Sequence, residues 1–234
     1  MLAADTRATG GNIVGDKNCE KLHNLAPNIF TAGAGTAADC DHVTGKYFTS
    51  ISDLTKNLEM IKRDLELHRL NTHSENRVQM AAQRLCGHAF KYGGHIGTYL
   101  IVGGVDVKGP QLIECQNDGN MYSNPYHTTG SGSLAAMSIM ENYYKENMTR
   151  EEAIDLCVRA IEGGIYHDLG SGSNVDVCVI TRGKYEMLRN YKHDNHKIFS
   201  KPGGYTFKKE RVVVIDEVRE KFGNNNGEVK MEIG

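Results

Sequence analysis

"KLHNLAPNIFTAGAGTAAD" (residues 21–39) is the stretch on which the fold turns. Two short apolar runs, "KLHNLA" (21–26) and "NIFTAGAG" (28–35), flank Pro27 and predict the strands of a hairpin. The second run enters a glycine turn, "GAGTAAD" (33–39), and then a helix predicted from about Ala37 to Leu70. G-x-G-x-x-A at such a junction superficially matches a dinucleotide-binding fingerprint. That fingerprint needs a parallel strand after the helix, ending in an acid about 20 residues on. Here a second helix follows instead, predicted over 75–92, with Val78, Ala81, Ala82, Leu85 and Ala89 on one face. The context fails, and nucleotide binding is disfavoured. Two readings of the turn stay open. Its small residues permit close packing where strand meets helix, or its backbone N–H groups face a developing negative charge.

Outward from that stretch, strands and helices come in blocks. "GTYLIVGGVDV" (97–107) and "PQLIECQ" (110–116) predict paired strands around Lys108-Gly109. Ser133 is placed to cap a helix running to about Tyr144. Thr149 and Glu152 have capping-box spacing at the head of another, with Ala153, Ile154, Cys157, Ala160 and Ile161 on its apolar face. "NVDVCVIT" (174–181) and "KYEMLRNY" (184–191) predict a last strand pair turning at Arg182-Gly183. At the other end, Met1 to Ala4 reads as the second half of a buried strand. Blocks rather than strict alternation argue for an α+β fold, with antiparallel sheets covered by helical layers. The polar, Asn/Gly/Lys/Glu-rich residues after "RVVVIDEV" cannot bury enough apolar surface to order themselves without a partner. The expected organisation is one domain over 1–200 and a C-terminal arm or tail over 201–234.

The 234 residues are 39% hydrophobic and 24% charged, ordinary for a globular chain with a full core. A formal net charge of −2 and a pI of about 6.5 give no electrostatic case for nucleic acid or an anionic membrane. No window approaches the ~18 apolar residues of a membrane span, and no charged leader precedes an apolar core, so a secretory signal is not expected. Six cysteines are scattered without a CxxC pair, which suggests reduced thiols in the cytoplasm or nucleus. His193 and His196 lack acidic or cysteine partners at metal-site spacing, so neither a metal nor a cofactor is expected.

"TTGSGSLAAM" (128–137) and "HDLGSGSNVDV" (167–177) are two further glycine-serine turns. A lone GSGS is more often a tight turn than a site. Together with "GAGTAAD" and "ADTRATGG" (4–11) they make a set of small-residue loops that would bring Asp5, Lys21, Ser131, Asp168 and Ser171 together. Taken alone, Asp5 and Lys21 read as a simple buried ion pair.

The same residues carry a resemblance. "ADTRAT" (4–9), "DKNCEKLH" (16–23), "GAGTAADCD" (33–41), "GGVDVKGPQL" (103–112), "GSGSLAAM" (130–137) and "HDLGSGSNVDVCVIT" (167–181) resemble the proteasome beta-subunit family, most of all its trypsin-like type. The likeness covers roughly residues 1–40 and 66–190 in the same order. It implies the four-layer αββα sandwich of N-terminal-nucleophile hydrolases, here with its first strand truncated. It also implies a place beside other beta and alpha subunits in the stacked seven-membered rings of the core particle, with polypeptides as substrates. The C-terminal arm would clasp a neighbouring beta subunit. The implied function is threonine-type endopeptidase activity in ubiquitin-dependent degradation, in cytoplasm and nucleus.

In the family's active members the nucleophile is an N-terminal threonine, whose own α-amine, titrating near ~8, serves as base. That threonine is expected about a dozen residues upstream of "ADTRAT", at the start of the strand that Met1 to Ala4 finishes; here Met1 stands instead. By resemblance Lys21 lowers the amine's pKa and stabilises the ionised threonine, and Asp5 holds Lys21. The Gly35 N–H is the oxyanion donor, and Ser131, Asp168 and Ser171 bond the terminal amine and its water. Thr9 contacts substrate backbone and Arg7 is structural.

The implied specificity pocket comprises Ala8, Cys19, Gly33, Ala37 and Asp41. Gly33 leaves it deep and Asp41 puts a carboxylate near its end, so Lys and Arg are the favoured side chains. Asp39 either adds acidity or caps the helix starting near Thr36. A surplus of about a dozen residues over the family pattern, roughly "GKYFTSISDLTKN" (45–57), is poor helix material and has the character of an in-frame intron. A misplaced start codon would likewise give Met1. The alternative is a non-catalytic ring subunit serving assembly and gating. A full set of Asp5, Lys21, Gly35, Ser131, Asp168 and Ser171 favours the peptidase.

Overall fold

The computed structural model describes residues 1–36, 39–40, 59–193, 200–206 and 216–217. The chain divides into two units, Met1–His196 and Lys197–Gly234. In the second, the Gly204 N–H closes a turn on the Lys201 carbonyl at 3.0 Å. Most of the expected arm, the surplus at 45–57, His196 and the pocket residues Ala37 and Asp41 lie outside the described residues.

In chain order the first unit begins with β1 (Leu2–Asp5), β2 (Ala8–Gly10), β3 (Ile13–Asp16), β4 (Leu22–Ala26) and β5 (Ile29–Gly35). Helices α1 (Glu59–Thr72) and α2 (Val78–Lys91) follow, then β6 (Thr98–Asp106), β7 (Gly109–Cys115) and β8 (Met121–Ser123). Helices α3 (Ser133–Tyr143) and α4 (Arg150–His167) lead to β9 (Val175–Thr181) and β10 (Lys184–Lys192). One sheet has the order β4-β5-β6-β7-β8, another β1-β9-β10, and β2 pairs with β3; every pairing is antiparallel.

Side-chain alternation along a strand explains the packing. In β1, Leu2 and Ala4 join Phe30, Ala32, Ile101 and Cys178 between the two sheets. Met1 and Ala3 face the other way, toward Ile154, Val158 and Ile165 of α4. β9 divides likewise, Val175, Val177 and Val179 meeting α4 while Cys178 and Ile180 meet the larger sheet. A third cluster joins Ile61, Leu65, Val78, Ala81, Ala82 and Leu85 of α1 and α2 to Ile29, Leu100 and Val102. Strands covered on both faces read as near-continuous apolar runs, and "VDVCVIT" is such a run apart from Asp176 and Thr181. None of the six cysteines is in a disulfide; burial pushes the Cys178 thiol up to about 11.

The local predictions hold where the signal is local. All five residues placed on the apolar face of α2 are buried. Thr149 and Glu152 form the full capping box: Thr149 Oγ1 accepts the Glu152 N–H at 3.3 Å, and Glu152 Oε2 accepts the Thr149 N–H at 2.8 Å. Two expectations need correction. Ser133 does not cap α3; Gly132 is the cap, and the Ser133 N–H is used by the Gly130 carbonyl at 3.1 Å. The β6–β7 turn is Val107-Lys108, since Asp106 pairs with Gly109. Of the helix expected over 37–70, α1 gives the C-terminal part and residues 39–40 are helical; 41–58 lie outside the described residues.

Asp106 fixes that turn and also starts α2. Its buried carboxylate accepts the Val78 N–H at 3.0 Å, the Lys108 N–H at 2.8 Å and Gln111 Nε2 at 3.0 Å. Asp106→Ala leaves the buried Val78 N–H without its acceptor and frees the turn at Lys108 and Gln111, and is expected to cost about 1–3 kcal/mol of unfolding free energy, measured by urea denaturation.

Candidate active site

Asp5 ends β1, and Lys21 stands one residue before β4. Lys21 Nζ donates to Asp5 Oδ1 at 2.6 Å, with both side chains largely covered. Asp5 Oδ2 accepts two backbone N–H groups, from Arg7 at 3.3 Å and from Gly172 at 3.0 Å. The carboxylate is thus fixed from two sides, and the ammonium is aimed by it.

A second carboxylate organises the serines. Asp168 closes α4 as its C-cap, with its N–H on the Gly164 carbonyl at 2.8 Å. Asp168 Oδ2 accepts Ser131 Oγ at 2.5 Å and Ser171 Oγ at 2.6 Å, and Oδ1 accepts the Gly170 N–H at 3.1 Å. Ser131 lies in the turn before α3, so Asp168 ties the two glycine-serine loops together. Gly172 then links this cluster to Asp5, one residue beyond Ser171. The glycines are needed for close approach: a Cβ on Gly132 would lie 3.0 Å from the Gly164 Cα, and one on Gly172 would run into the Arg7 guanidinium.

Gly35 ends β5 at the same edge of the molecule. The Gly33 N–H donates to the Lys21 carbonyl at 3.0 Å, and the Thr36 N–H donates the opposite way, to Gly97 on the β6 side, at 2.9 Å. By strand alternation the Gly35 N–H points as that of Gly33 does, away from β6 and past the start of β4, the side on which Lys21 stands. Gly35 is exposed, and a Cβ on Gly130 would touch Ala34 at 3.4 Å, so the Ser131 turn borders the donor. An exposed N–H, an ammonium held by a carboxylate, and two hydroxyls held by another therefore share one edge. That set suits an acyl-transfer reaction, with a donor for an oxyanion and a cation to stabilise an ionised nucleophile.

Around it, Ala8 and Cys19 are half-buried, Thr9 is exposed in β2, and Gly33 is half-buried in β5. The Cys19 N–H holds the Thr6 carbonyl at 2.9 Å. A side chain on Gly33 would meet Cys40 Sγ at 3.3 Å and Leu100 Cδ2 at 3.5 Å, so Cys40 marks how far the space behind Gly33 extends. Asp39 is engaged elsewhere than either sequence reading placed it: its Oδ2 accepts the Gly97 N–H at 3.0 Å. Among the described residues no group of three or more His, Cys, Asp or Glu could hold a metal ion.

Two residues support these loops, of which Thr6 was not singled out by sequence. Thr6, fully buried, donates from Oγ1 to the Lys17 carbonyl at 2.7 Å and accepts the Asn174 N–H at 2.9 Å, anchoring the segment after Ser171 beside β1. Arg7, read as structural, donates to the Leu169 carbonyl at 3.2 Å and so grips the loop carrying Asp168 to Ser171. The buried Asp176 is paired with Arg189, which also donates to Asn18 at 3.1 Å; burial pushes the Asp176 carboxyl up, while Asn190 and Arg189 act in the opposite sense.

Known proteins match this chain along most of its length. Residues 1–180 match the Proteasome family, described as proteasome subunit. Proteasome subunit beta type-7-B of Arabidopsis thaliana is 47% identical over 218 residues, 93% of this chain and 74% of that protein. Proteasome subunit beta type-2 of Saccharomyces cerevisiae is 47% identical over 227 residues, 94% of this chain and 82% of that protein. Proteasome subunit beta type-10 of Mus musculus is 44% identical over 189 residues, 81% of this chain and 64% of that protein.

Proposed function

Since this chain belongs to the proteasome subunit family, as a core-particle beta subunit of the beta-2 type that assembles with other proteasome subunits, we propose that it supplies threonine-type cleavage after Lys and Arg. The observation that carries the proposal is the hydrogen-bonded chain from Lys21 through Asp5 and Gly172 to Ser171, Asp168 and Ser131, beside the outward N–H of Gly35. A subunit that only filled a ring position would have no use for an ammonium so held. The three apolar clusters, helix on sheet, sheet on sheet and sheet on helix, support the four-layer αββα sandwich. The proposed setting is the stacked seven-membered rings, in cytoplasm and nucleus.

The proposed nucleophile is a threonine hydroxyl about a dozen residues before Ala4, at the N-terminus of the mature subunit. Its oxygen attacks the scissile carbonyl carbon and its proton passes to its own α-amine. Lys21 stabilises the alkoxide and the Gly35 N–H receives the oxyanion. The C–N bond then breaks, the leaving nitrogen takes the proton, and water hydrolyses the ester. A strand running straight back from β1 would not bring that threonine to the site. At ~3.3 Å per residue, a straight extension of β1 by a dozen residues would carry it about 40 Å away from Asp5. Among the described residues β1 is an edge strand. A hairpin folded back antiparallel along that edge returns the threonine to Asp5 and Lys21.

Specificity is proposed to come from the space behind Gly33 together with Asp41. Gly33→Ala brings a methyl against Cys40 and shortens that space. Loss of about one methylene of depth costs about 10-fold or more in kcat/KM, here for Arg and Lys substrates, with cleavage after Ala changed less. The test is fluorogenic peptides ending in Arg, Lys or Ala on purified core particles. Equal effects on all three would exclude this pocket.

A further inference from the structure

We infer that Asp39 is a positioning residue, holding the oxyanion donor in place through Gly97 rather than adding negative charge to the specificity pocket; this rests on the peptidase reading above. Gly35 has φ +114°, and a Cβ there would lie 2.1 Å from the Gly97 carbonyl oxygen, so the two backbones are in direct contact. Thr36 donates its N–H to that oxygen at 2.9 Å, and Gly97 donates its own N–H to Asp39 Oδ2 at 3.0 Å. A Cβ on Gly97 would lie 2.8 Å from Thr36 Oγ1 and 3.3 Å from Asp39 Oδ2, so any other residue there would push those two side chains aside. The Cys40 N–H closes back on the Thr36 carbonyl at 2.9 Å, and Cys40 Sγ donates to the Ala34 carbonyl at 3.4 Å.

The peptides on both sides of Gly35 are therefore fixed along the β6 edge, and the Asp39 carboxylate is the side chain that locks Gly97 against them. The Gly35 N–H points to the opposite edge. If Gly97 shifts, Thr36 and Gly35 follow, and the donor leaves the geometry the oxyanion requires. The carboxylate acts here as a hydrogen-bond acceptor for a backbone N–H. Its charge is not what the reaction uses, so an amide oxygen in the same position can replace it.

The test uses assembled core particles carrying Asp39→Ala or Asp39→Asn, with two readouts. The first is kcat and KM for a peptide ending in Arg. Removal of an oxyanion donor costs about 10²–10³ in rate; displacement of one by Asp39→Ala is expected to lower kcat by about 10-fold or more, with KM within twofold, and Asp39→Asn to restore kcat to within about threefold. The second is hydrogen exchange of the 29–40 segment by mass spectrometry, where Asp39→Ala speeds exchange at Thr36 and Asp39→Asn does not. An unchanged kcat with Asp39→Ala overturns the inference. So does a rise in KM confined to basic substrates with both variants, which is the mark of a pocket acid. If Asp39→Ala does not assemble, Asp39→Asn decides, since a functional charge predicts its loss of activity and a positioning acceptor predicts its retention. If unsubstituted particles owe no basic-residue cleavage to this subunit, the peptidase reading fails, and the exchange readout alone then tests the clamp: unchanged exchange at Thr36 removes it.

Discussion

Lys21→Ala is expected to lower cleavage after Arg and Lys by core particles about 10²–10³-fold, the range for removing one group that stabilises developing negative charge. The ammonium is the one cation that the described geometry aims at the shared edge by a carboxylate, at 2.6 Å from Asp5 Oδ1. Without it an ionised nucleophile has no compensating charge. Asp5 keeps its two backbone donors, so the loop around Gly172 holds and the subunit still assembles. Lys21→Arg is a sharper control, since the guanidinium keeps the charge but replaces a compact ammonium with a planar fork. It is expected to recover little activity. Measured against fluorogenic Arg and Lys peptides, with cleavage after acidic and apolar residues as internal standards, full activity in Lys21→Ala would remove Lys21 from the mechanism.

The largest structural effect is expected at Gly35. Gly35→Ala must both adopt φ +114° and place a methyl 2.1 Å from the Gly97 oxygen, in contact with backbone that cannot step aside. A cost above about 3 kcal/mol follows, the sum of a strained conformer and a displaced strand end. The substituted chain should fail to enter particles, read by native gels of cell extracts. Gly183 supplies the comparison. It has φ +80° in the β9–β10 turn but nothing within 4 Å of a Cβ, so Gly183→Ala should cost only about 1–2 kcal/mol and assemble. Equal incorporation of the two variants would mean that close contact with Gly97 does not constrain Gly35.

What was legible in the sequence is what depends on near neighbours. Thr149 and Glu152 are three residues apart, and the capping box formed as read. Apart from Asp176 and Thr181, "VDVCVIT" is apolar on both faces because β9 is covered by α4 on one side and by the larger sheet on the other. The small-residue loops suggested that Asp5, Lys21, Ser131, Asp168 and Ser171 converge, but their roles came from resemblance, since no periodicity relates positions so far apart. Gly172 to Asp5 spans 167 residues and Asn174 to Thr6 spans 168. The clasp of Asp39 on Gly97, 58 residues on, was missed for the same reason. An Asp beside a glycine turn reads equally well as a cap, a pocket acid or a backbone clamp. Ser133 was misread because both Gly132 and Ser133 are competent at a helix start, and only backbone geometry distinguishes them.

The most direct measurement is to treat purified core particles with an electrophilic peptide ending in Arg, then identify the modified chain and residue by mass spectrometry. The predicted result is an adduct on this subunit, at an N-terminal threonine about a dozen residues before Ala4, formed in step with loss of cleavage after Arg and Lys. Loss of that activity with this subunit unmodified would contradict the peptidase reading and leave a ring subunit in which Lys21 and Asp5 are a buried ion pair.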